Sequence, residues 1–212
     1  MNIFDRIKEL LSGIPRPLVI EMGACDGNET VWFANTFPDA TIIALEPVKE
    51  LADIVAGRTE LKGRIELVRM AIGKEDKKGQ KLFVSGGNCV QTGQNFYGSS
   101  SIKDPLYAEQ VFKGMKFSET TCDVITLDTL WKRNNSPVID FIWSDIQAGE
   151  QDMIRGGMAA LAYTRYLYTE VGEGDYYVGE IKLPQILEML PGWEVVEDYG
   201  TDVRLRNTKF SA

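Results

Sequence analysis

Between Leu18 and Gly27 the chain reads LVIEMGACDG, an apolar run closed by an acid and followed by small residues at a tight turn. A second apolar run, Ala40 to Leu45, ends on another acid, Glu46. Together they outline a nucleotide-ribose site, because a glycine turn lets the backbone approach a ligand and a carboxylate ending the next strand takes the ribose hydroxyls. A dinucleotide fold wants G-x-G-x-x-G, yet the places of its second and third glycines hold Cys25 and Asn28. The pattern present is acid-x-Gly-x-Cys-x-Gly over Glu21, Gly23, Cys25 and Gly27, closer to the turn that holds S-adenosylmethionine. That ligand has no pyrophosphate and so has less need of a glycine-lined helix N-terminus. The competing reading is that Gly23 and Gly27 only shape a sharp strand-to-helix turn.

The chain of 212 residues fits one domain, 1–212, large enough to bury a core without staples. A net charge of −8 with no basic run argues against a nucleic-acid partner, which needs clustered Lys and Arg. Cys25, Cys89 and Cys122 are odd in number and lack C-x-x-C spacing, so neither a disulfide framework nor a zinc site is indicated, and a reducing cytoplasm fits. No stretch approaches the length of a membrane span. In residues 1–14, Ile3, Phe4, Ile7, Leu10 and Leu11 repeat at helical spacing, which predicts an amphipathic helix ended by Gly13 and Pro15 and docked on the domain. Asp5, Lys8 and Glu9 interrupt any signal-peptide core.

Strand-like and helical patterns then alternate. Strands are predicted at 17–22, 40–45, 64–70, 121–126, 138–144, 165–171, 193–197 and 202–207, and helices at 28–37, 48–57, 128–134, 149–162 and 180–190. The runs Ile42–Leu45 and Val138–Trp143 are almost wholly apolar, as strands covered on both faces should be. Such alternation predicts an α/β, Rossmann-like, doubly wound and mostly parallel sheet of about seven strands. The last two strands, parted by Tyr199-Gly-Thr, read as an antiparallel hairpin, so the terminal strand is antiparallel. One segment breaks the rhythm. Residues 85–118 are rich in Gly, Ser, Asn and Gln with Phe96, Tyr97, Tyr107 and Phe112 interleaved, which suits a lid over an acceptor site or an ordinary packed insertion.

Five segments carry a family pattern: Glu21-Met-Gly-Ala24, Leu45-Glu-Pro47, Met70-Ala-Ile-Gly73, Thr126-Leu-Asp-Thr-Leu130, and the run from Ile139 to Gly156 with Asp145-Ile-Gln-Ala-Gly-Glu150 at its centre. In order and spacing they resemble the FkbM family of S-adenosylmethionine-dependent methyltransferases, from about Pro17 to Arg206. The resemblance implies the Rossmann-like methyltransferase fold, with S-adenosyl-L-methionine held by Glu21, Gly23, Ala24, Asp26, Gly27, Glu46 and Ala71. It also implies O-methylation of a hydroxyl on a sugar or polyketide-type small molecule. Three departures stand out: Trp143 where the family often has Lys, Ala148-Gly149 where the order is usually glycine first, and Glu21 where Asp is commoner.

Methyl transfer to a hydroxyl is mainly a positioning task, but the hydroxyl proton must go somewhere. The chain has no histidine, which leaves carboxylates. Asp145 follows an apolar strand at the ligand edge of the sheet, Glu150 falls in the first turn of the next helix, and Glu170 ends the following strand. These three are the catalytic candidates. Each has a plainer alternative, respectively a helix cap, an ordinary first-turn glutamate and a solvated strand end. Ser99 and Ser100 in the insertion, and Trp143 beside Asp145, are candidates for the acceptor side. Asp128 reads as the N-cap of helix 128–134. A metal shared by Asp145 and Glu170 would lack His or Cys partners, and none is expected. A non-catalytic binding module is the main competing function, and a nicotinamide-dependent oxidoreductase is more distant.

Overall fold

The computed structural model describes residues 2–88, 90, 93, 95–172 and 174–210; Cys89 lies outside them. Helix α1 (Ile3–Leu11) is capped by the Asn2 side chain, which accepts the Asp5 amide, and it buries Ile7 and Leu11. Strand β1 (Leu18–Met22) is buried at every position. It is followed by α2 (Asn28–Thr36), β2 (Thr41–Leu45), α3 (Lys49–Gly57), β3 (Ile65–Val68) and the short β4 (Ala71–Ile72). Two long strands come next, β5 (Lys77–Gly87) and β6 (Met115–Ile125), with the one-turn helix α4 (Ala108–Val111) between them. The chain continues through α5 (Leu127–Arg133), β7 (Ile139–Ser144), α6 (Glu150–Gly156), α7 (Met158–Leu161), β8 (Thr164–Glu170), α8 (Leu183–Met189), β9 (Trp193–Asp198) and β10 (Asp202–Asn207). Among the described residues no helix is long and apolar enough to cross a membrane.

Seven strands form one sheet in the order β3-β2-β1-β7-β8-β10-β9. The pairings from β3 to β8 are parallel, and β10 runs antiparallel to both β8 and β9, in accord with the predicted fold. Apolar side chains cover both faces. Ile20, Met22, Ile142 and Leu167 point into one core with α5, α6 and α8, while Val19, Phe141 and Trp143 point into another with α1 and α2. Register decides where the ligand edge falls. Met22 pairs with both Leu45 and Ser144, and Ser144 pairs with Thr169, so β1, β2, β7 and β8 end level with one another. Gly23, Glu46, Asp145 and Glu170 therefore emerge side by side, and Asp202, opposite Glu170 where β10 begins, joins them.

Three differences from the predicted elements have physical causes. Residues 85–87 and 115–118 belong to a two-stranded ribbon rather than to a loop: β5 and β6 pair antiparallel from Lys77–Val124 out to Gly87–Met115, and β4 adds to β6. The polar start of β5, Lys77-Lys-Gly-Gln-Lys, hides its strand character because β5 buries only Leu82 and Ser85, and Leu82 packs with Cys122 and Val124 of β6 on Val48, Leu51 and Ala71. The helix predicted over 149–162 divides into α6 and α7 at Gly156-Gly157. There the chain presses on Gly73, whose carbonyl oxygen would lie 2.2 Å from a Cβ at position 156. Finally, Thr126 rather than Asp128 caps α5, its Oγ1 accepting the Thr129 amide at 3.0 Å. Asp128 reaches instead to α7 and accepts the Ala160 amide at 2.8 Å.

Candidate active site

The turn after β1 is fixed by backbone contacts on both sides. The amides of Gly23 and Ala24 donate to the Leu45 carbonyl at 3.0 and 2.9 Å, and the Asp145 amide donates to the Met22 carbonyl at 3.0 Å. Gly23 has φ +86°, and a Cβ there would stand 1.9 Å from the Asp145 carbonyl oxygen, so only glycine lets the two strand ends close together. Glu46 is 4% exposed and grips this turn: its Oε2 accepts the Cys25 amide and its Oε1 the Val48 amide, each at 2.8 Å. Burial pushes its carboxyl up to about 7, even though the two amide donors pull the other way.

A first cavity opens beside this turn. Gly23, Cys25, Glu46 and Asp145 give it a polar side, and Leu45, Leu51, Ala71, Ile72 and Leu82 an apolar one. Tyr97, Gly98, Ser100, Ser101 and Ile102 close it from the segment between β5 and β6. Tyr97 also donates its hydroxyl to Asp26 at 3.3 Å, joining that segment to the glycine turn. Of the residues expected at the cofactor, Gly23, Glu46 and Ala71 line the cavity. Asp26 and Gly27 shape the loop and the start of α2 behind it, with Arg58 spanning the Asp26 carbonyl and Asn28. Glu21 and Ala24 sit deeper. Ala24 packs in the core with Phe33, and both carboxylate oxygens of Glu21 are buried without a hydrogen-bond partner among the described residues. Burial pushes the Glu21 carboxyl up to about 8, so it is held largely protonated at neutral pH.

A second cavity, of about 380 Å³, adjoins the first. Glu150, Glu170, Glu180 and Gln147 supply its polar groups; Phe96, Phe112, Tyr176 and Tyr177 supply aromatic walls. Glu150 is buried, its Oε1 has no partner among the described residues, and burial raises its carboxyl to about 8. Glu180 is tied down on both oxygens, by the Tyr176 amide at 2.9 Å and by Lys182 Nζ at 2.9 Å. The serine run separates the cavities, with Ser99 lining the second and Ser100 and Ser101 the first. It is pinned there, since Ser101 Oγ donates to the Gln147 carbonyl at 2.6 Å and Tyr177 donates its hydroxyl to the Ser99 carbonyl at 2.7 Å.

Asp145 lines the first cavity and Glu170 the second, and Gln147 joins them. The Gln147 Nε2 amide donates to Asp145 Oδ1 at 2.7 Å and to Glu170 Oε2 at 2.8 Å. Both carboxyls are held above the usual range, first by burial and for Glu170 also by the charges of Asp145, Glu150 and Asp202. Among the described residues no group of three His, Cys, Asp or Glu side chains is placed to hold a metal ion. Trp143 requires a correction. Although only two residues from Asp145, it lines neither cavity: within β7 it shares a face with Phe141 and packs on Tyr168, Phe4 and Phe33, whereas Asp145 lies past the end of the strand, at the cavity edge. Gln147 and Tyr177 are site residues that sequence reasoning did not single out, and Tyr97 figured there only as one aromatic of the 85–118 segment. Gln147 lies inside the most family-specific run, and the Tyr176-Tyr177 pair stands in a glycine-rich stretch that holds no other aromatic residue between Gly172 and Gly179.

The family model described as Methyltransferase FkbM domain matches residues 21–200. The 2-O-methyltransferase NoeI of Sinorhizobium fredii (strain NBRC 101917 / NGR234) is 30% identical over 214 residues, spanning 99% of this chain and 86% of that protein. Among solved structures, an rRNA methylase from Streptococcus thermophilus superposes with a TM-score of 0.51 at 10% identity, over 98% of this chain and 97% of its own. A putative O-methyltransferase from Klebsiella pneumoniae gives 0.52 at 14% identity, over 96% and 79%. An O-methyltransferase from Bacillus cereus, solved in complex with SAH, gives 0.50 at 13% identity, over 96% and 80%. At these identities the structural likenesses bear on the fold alone.

Proposed function

The chain belongs to the FkbM methyltransferase family, and we propose that it transfers a methyl group from S-adenosylmethionine to a hydroxyl of a sugar or polyketide-type small molecule. The observation that carries this reading is the pair of adjoining cavities with Asp145, Gln147 and Glu170 between them. The first cavity suits the donor. Its apolar side fits a flat base, and each Glu46 oxygen uses one lone pair on a backbone amide and keeps another for a ribose hydroxyl. When bound, S-adenosylmethionine supplies a methyl group activated on a sulfonium. The second cavity takes the acceptor, with Glu150 and Glu170 facing its hydroxyls and the aromatic walls packing on its apolar faces. Ser99, Ser100 and Ser101 hold the partition. Asp145, at the boundary, orients the reacting hydroxyl or accepts its proton.

The segment between β5 and β6 acts as the lid. The first cavity holds about 50 Å³, against the roughly 300–1,000 Å³ typical of ligand pockets. Admission of a nucleoside therefore requires Tyr97 to Ile102 to withdraw and then close. A non-catalytic module is disfavoured by the second cavity, which donor binding alone does not need. A cytoplasmic location accords with the free thiols of Cys25 and Cys122. A small-molecule acceptor rather than nucleic acid accords with the net charge of −8.

Glu46→Ala weakens binding of S-adenosylhomocysteine by about 10–100-fold, the loss of about 1.5–3 kcal/mol expected for a charged acceptor. Because the ionised carboxylate is the better acceptor and titrates near pH 7, wild-type affinity falls as pH drops below that value. Calorimetry that finds unchanged affinity in the folded variant removes Glu46 from the donor site. The function itself is tested with labelled S-adenosylmethionine and a small-molecule extract. Label enters a low-mass product if the reading holds; binding of the donor with no transfer supports the binding module instead.

A further inference from the structure

Gln147 has no counterpart among the groups assigned so far, yet its surroundings are the most tightly specified in the site. We propose that Gln147 is a positioning residue whose single side-chain amide clamps the Asp145 and Glu170 carboxyls into one proton-sharing unit spanning the wall between the two cavities. This rests on the methyl-transfer reading above only for its consequence, not for its geometry.

The backbone is the first observation. Gln147 and Ala148 are consecutive non-glycine residues in the left-handed region, with φ +48° and +68°. That conformation is sparsely populated by L-residues and persists only where surrounding contacts over-determine it. The family order would place glycine, which tolerates it, at position 148; here Ala148 occupies it and Gly149 follows with φ −79°. What fixes the turn is visible. Ser101 Oγ donates to the Gln147 carbonyl at 2.6 Å, and the partly buried Tyr177 hydroxyl stands 3.4 Å from Gln147 Oε1. The side chain is thus held at its carbonyl end by the aromatic wall and aimed with its amide group at both carboxyls.

The charge balance is the second observation. The groups that bear on the pair come from every element around it: Glu21 and Cys25 at the end of β1, Glu29 of α2, Glu46 after β2, Glu150 of α6, Tyr168 of β8, Tyr177 after β8 and Asp202 of β10. None is a cation. Two ionised carboxylates held a few ångström apart in such a field cannot both persist, so one proton stays between them. A glutamine amide with two N–H groups satisfies the outward oxygens of both and leaves the pair with a single negative charge. An arginine here would hold both carboxylates ionised, and a leucine would leave them unsatisfied.

The consequence for catalysis balances. The acceptor O–H bond breaks, its proton goes to the ionised member of the pair, and the oxygen keeps the electron pair with which it would take up the methyl group, while the methyl–sulfur bond of the donor would break with its electron pair left on sulfur, giving S-adenosylhomocysteine. The unit is then fully protonated and returns one proton to water before the next turnover. Because the carboxyls face different cavities, the unit senses donor and acceptor together.

The test follows the C=O stretch of protonated carboxyls by infrared pH titration of the ligand-free protein, in wild type, Gln147→Leu, Asp145→Asn and Glu170→Gln. Glu21, Glu46 and Glu150, raised by burial, absorb in the same range, so the shared-proton band is read in difference spectra as the component that both Asp145→Asn and Glu170→Gln remove from the wild-type titration. In Gln147→Leu the band should persist to higher pH, with its midpoint raised by about one unit or more, because amide donors favour the charged form and their loss raises the pKa. A merely structural glutamine would lower thermal stability and leave the midpoint in place, and that outcome overturns the proposal. So does a band untouched by Asp145→Asn and Glu170→Gln, which decides the matter even if Gln147→Leu fails to fold. Failure of the methyl-transfer reading shows separately, as absence of S-adenosylhomocysteine binding to the wild type with the infrared result intact.

Discussion

Asp145→Asn slows methyl transfer by about 10²–10⁴-fold, the usual contribution of a positioned proton acceptor, in single-turnover measurements on the natural acceptor. Asparagine keeps the size of the side chain and still offers an oxygen to Gln147 Nε2, now 2.7 Å from Asp145 Oδ1. What it loses is the ability to hold a proton or a charge. Glu170 remains but is left a weaker base, because the neighbouring charge that raises its pKa is gone. Donor affinity changes modestly, since Glu46 and the glycine turn are untouched. The pH dependence has a definite sign. Transfer needs the singly ionised pair, so the wild-type rate rises with pH as the first of the pair's two protons leaves. Stability runs the other way. A carboxyl whose pKa is raised on folding contributes stability below its unfolded value and loses that contribution as pH climbs through the folded one. Asp145→Asn therefore melts at or above the wild-type temperature, and its advantage grows toward alkaline pH. Wild-type transfer by Asp145→Asn, alongside a collapsed rate in Glu170→Gln, moves the base to Glu170.

How much of this was legible in the sequence follows from which forces leave a local trace. The buried parallel strands declared themselves, because β1, β2 and β7 are covered on both faces and so read as apolar runs. The ligand edge followed from them, since equal strand ends bring Gly23, Glu46, Asp145 and Glu170 level. Of the ribbon of β5 and β6, only the buried end of β6 left a trace, in the strand predicted at 121–126. The ribbon's long-range pairing is backbone to backbone, so its side chains are free to be polar, as in Lys77-Lys-Gly-Gln-Lys. The break between α6 and α7 was hidden because Gly156 is required by a contact with Gly73, far away in sequence. Within the site, carboxylates ending strands could be counted residue by residue. The amide that joins two of them, and the tyrosine that reaches the serine run from beyond β8, become meaningful only once the strands are assembled. Trp143 marks the opposite failure, in which nearness to Asp145 along the chain was mistaken for nearness in space.

That correction carries its own expected result. Trp143→Ala destabilises the fold by about 3–5 kcal/mol, the range for deleting a large buried aromatic, and leaves the transfer rate per folded molecule close to wild type. Trp143 is 8% exposed and lies on Tyr168 with ring centroids 4.1 Å apart and planes at 26°. Phe4 of α1 lies parallel to it at 5.9 Å, and Phe33 of α2 meets it edge-on at 6.1 Å. The indole thus cements α1 and α2 to β7 and β8, on the face of the sheet opposite the core shared with α5, α6 and α8. Beyond its area, each aromatic contact of this kind adds about 0.5–1.5 kcal/mol. The conservative Trp143→Phe keeps part of the stack and fills most of the space, so it should cost less and serves as the control. Chemical denaturation gives the stability loss, and transfer measured below the unfolding transition gives the rate. Because α1 leans directly on this ring, the alanine variant should also expose the N-terminal helix to proteolysis first. If Trp143→Ala instead keeps wild-type stability while acceptor KM rises or transfer stops, the side chain faces the acceptor after all, and the two-faced packing described for β7 is wrong at that position.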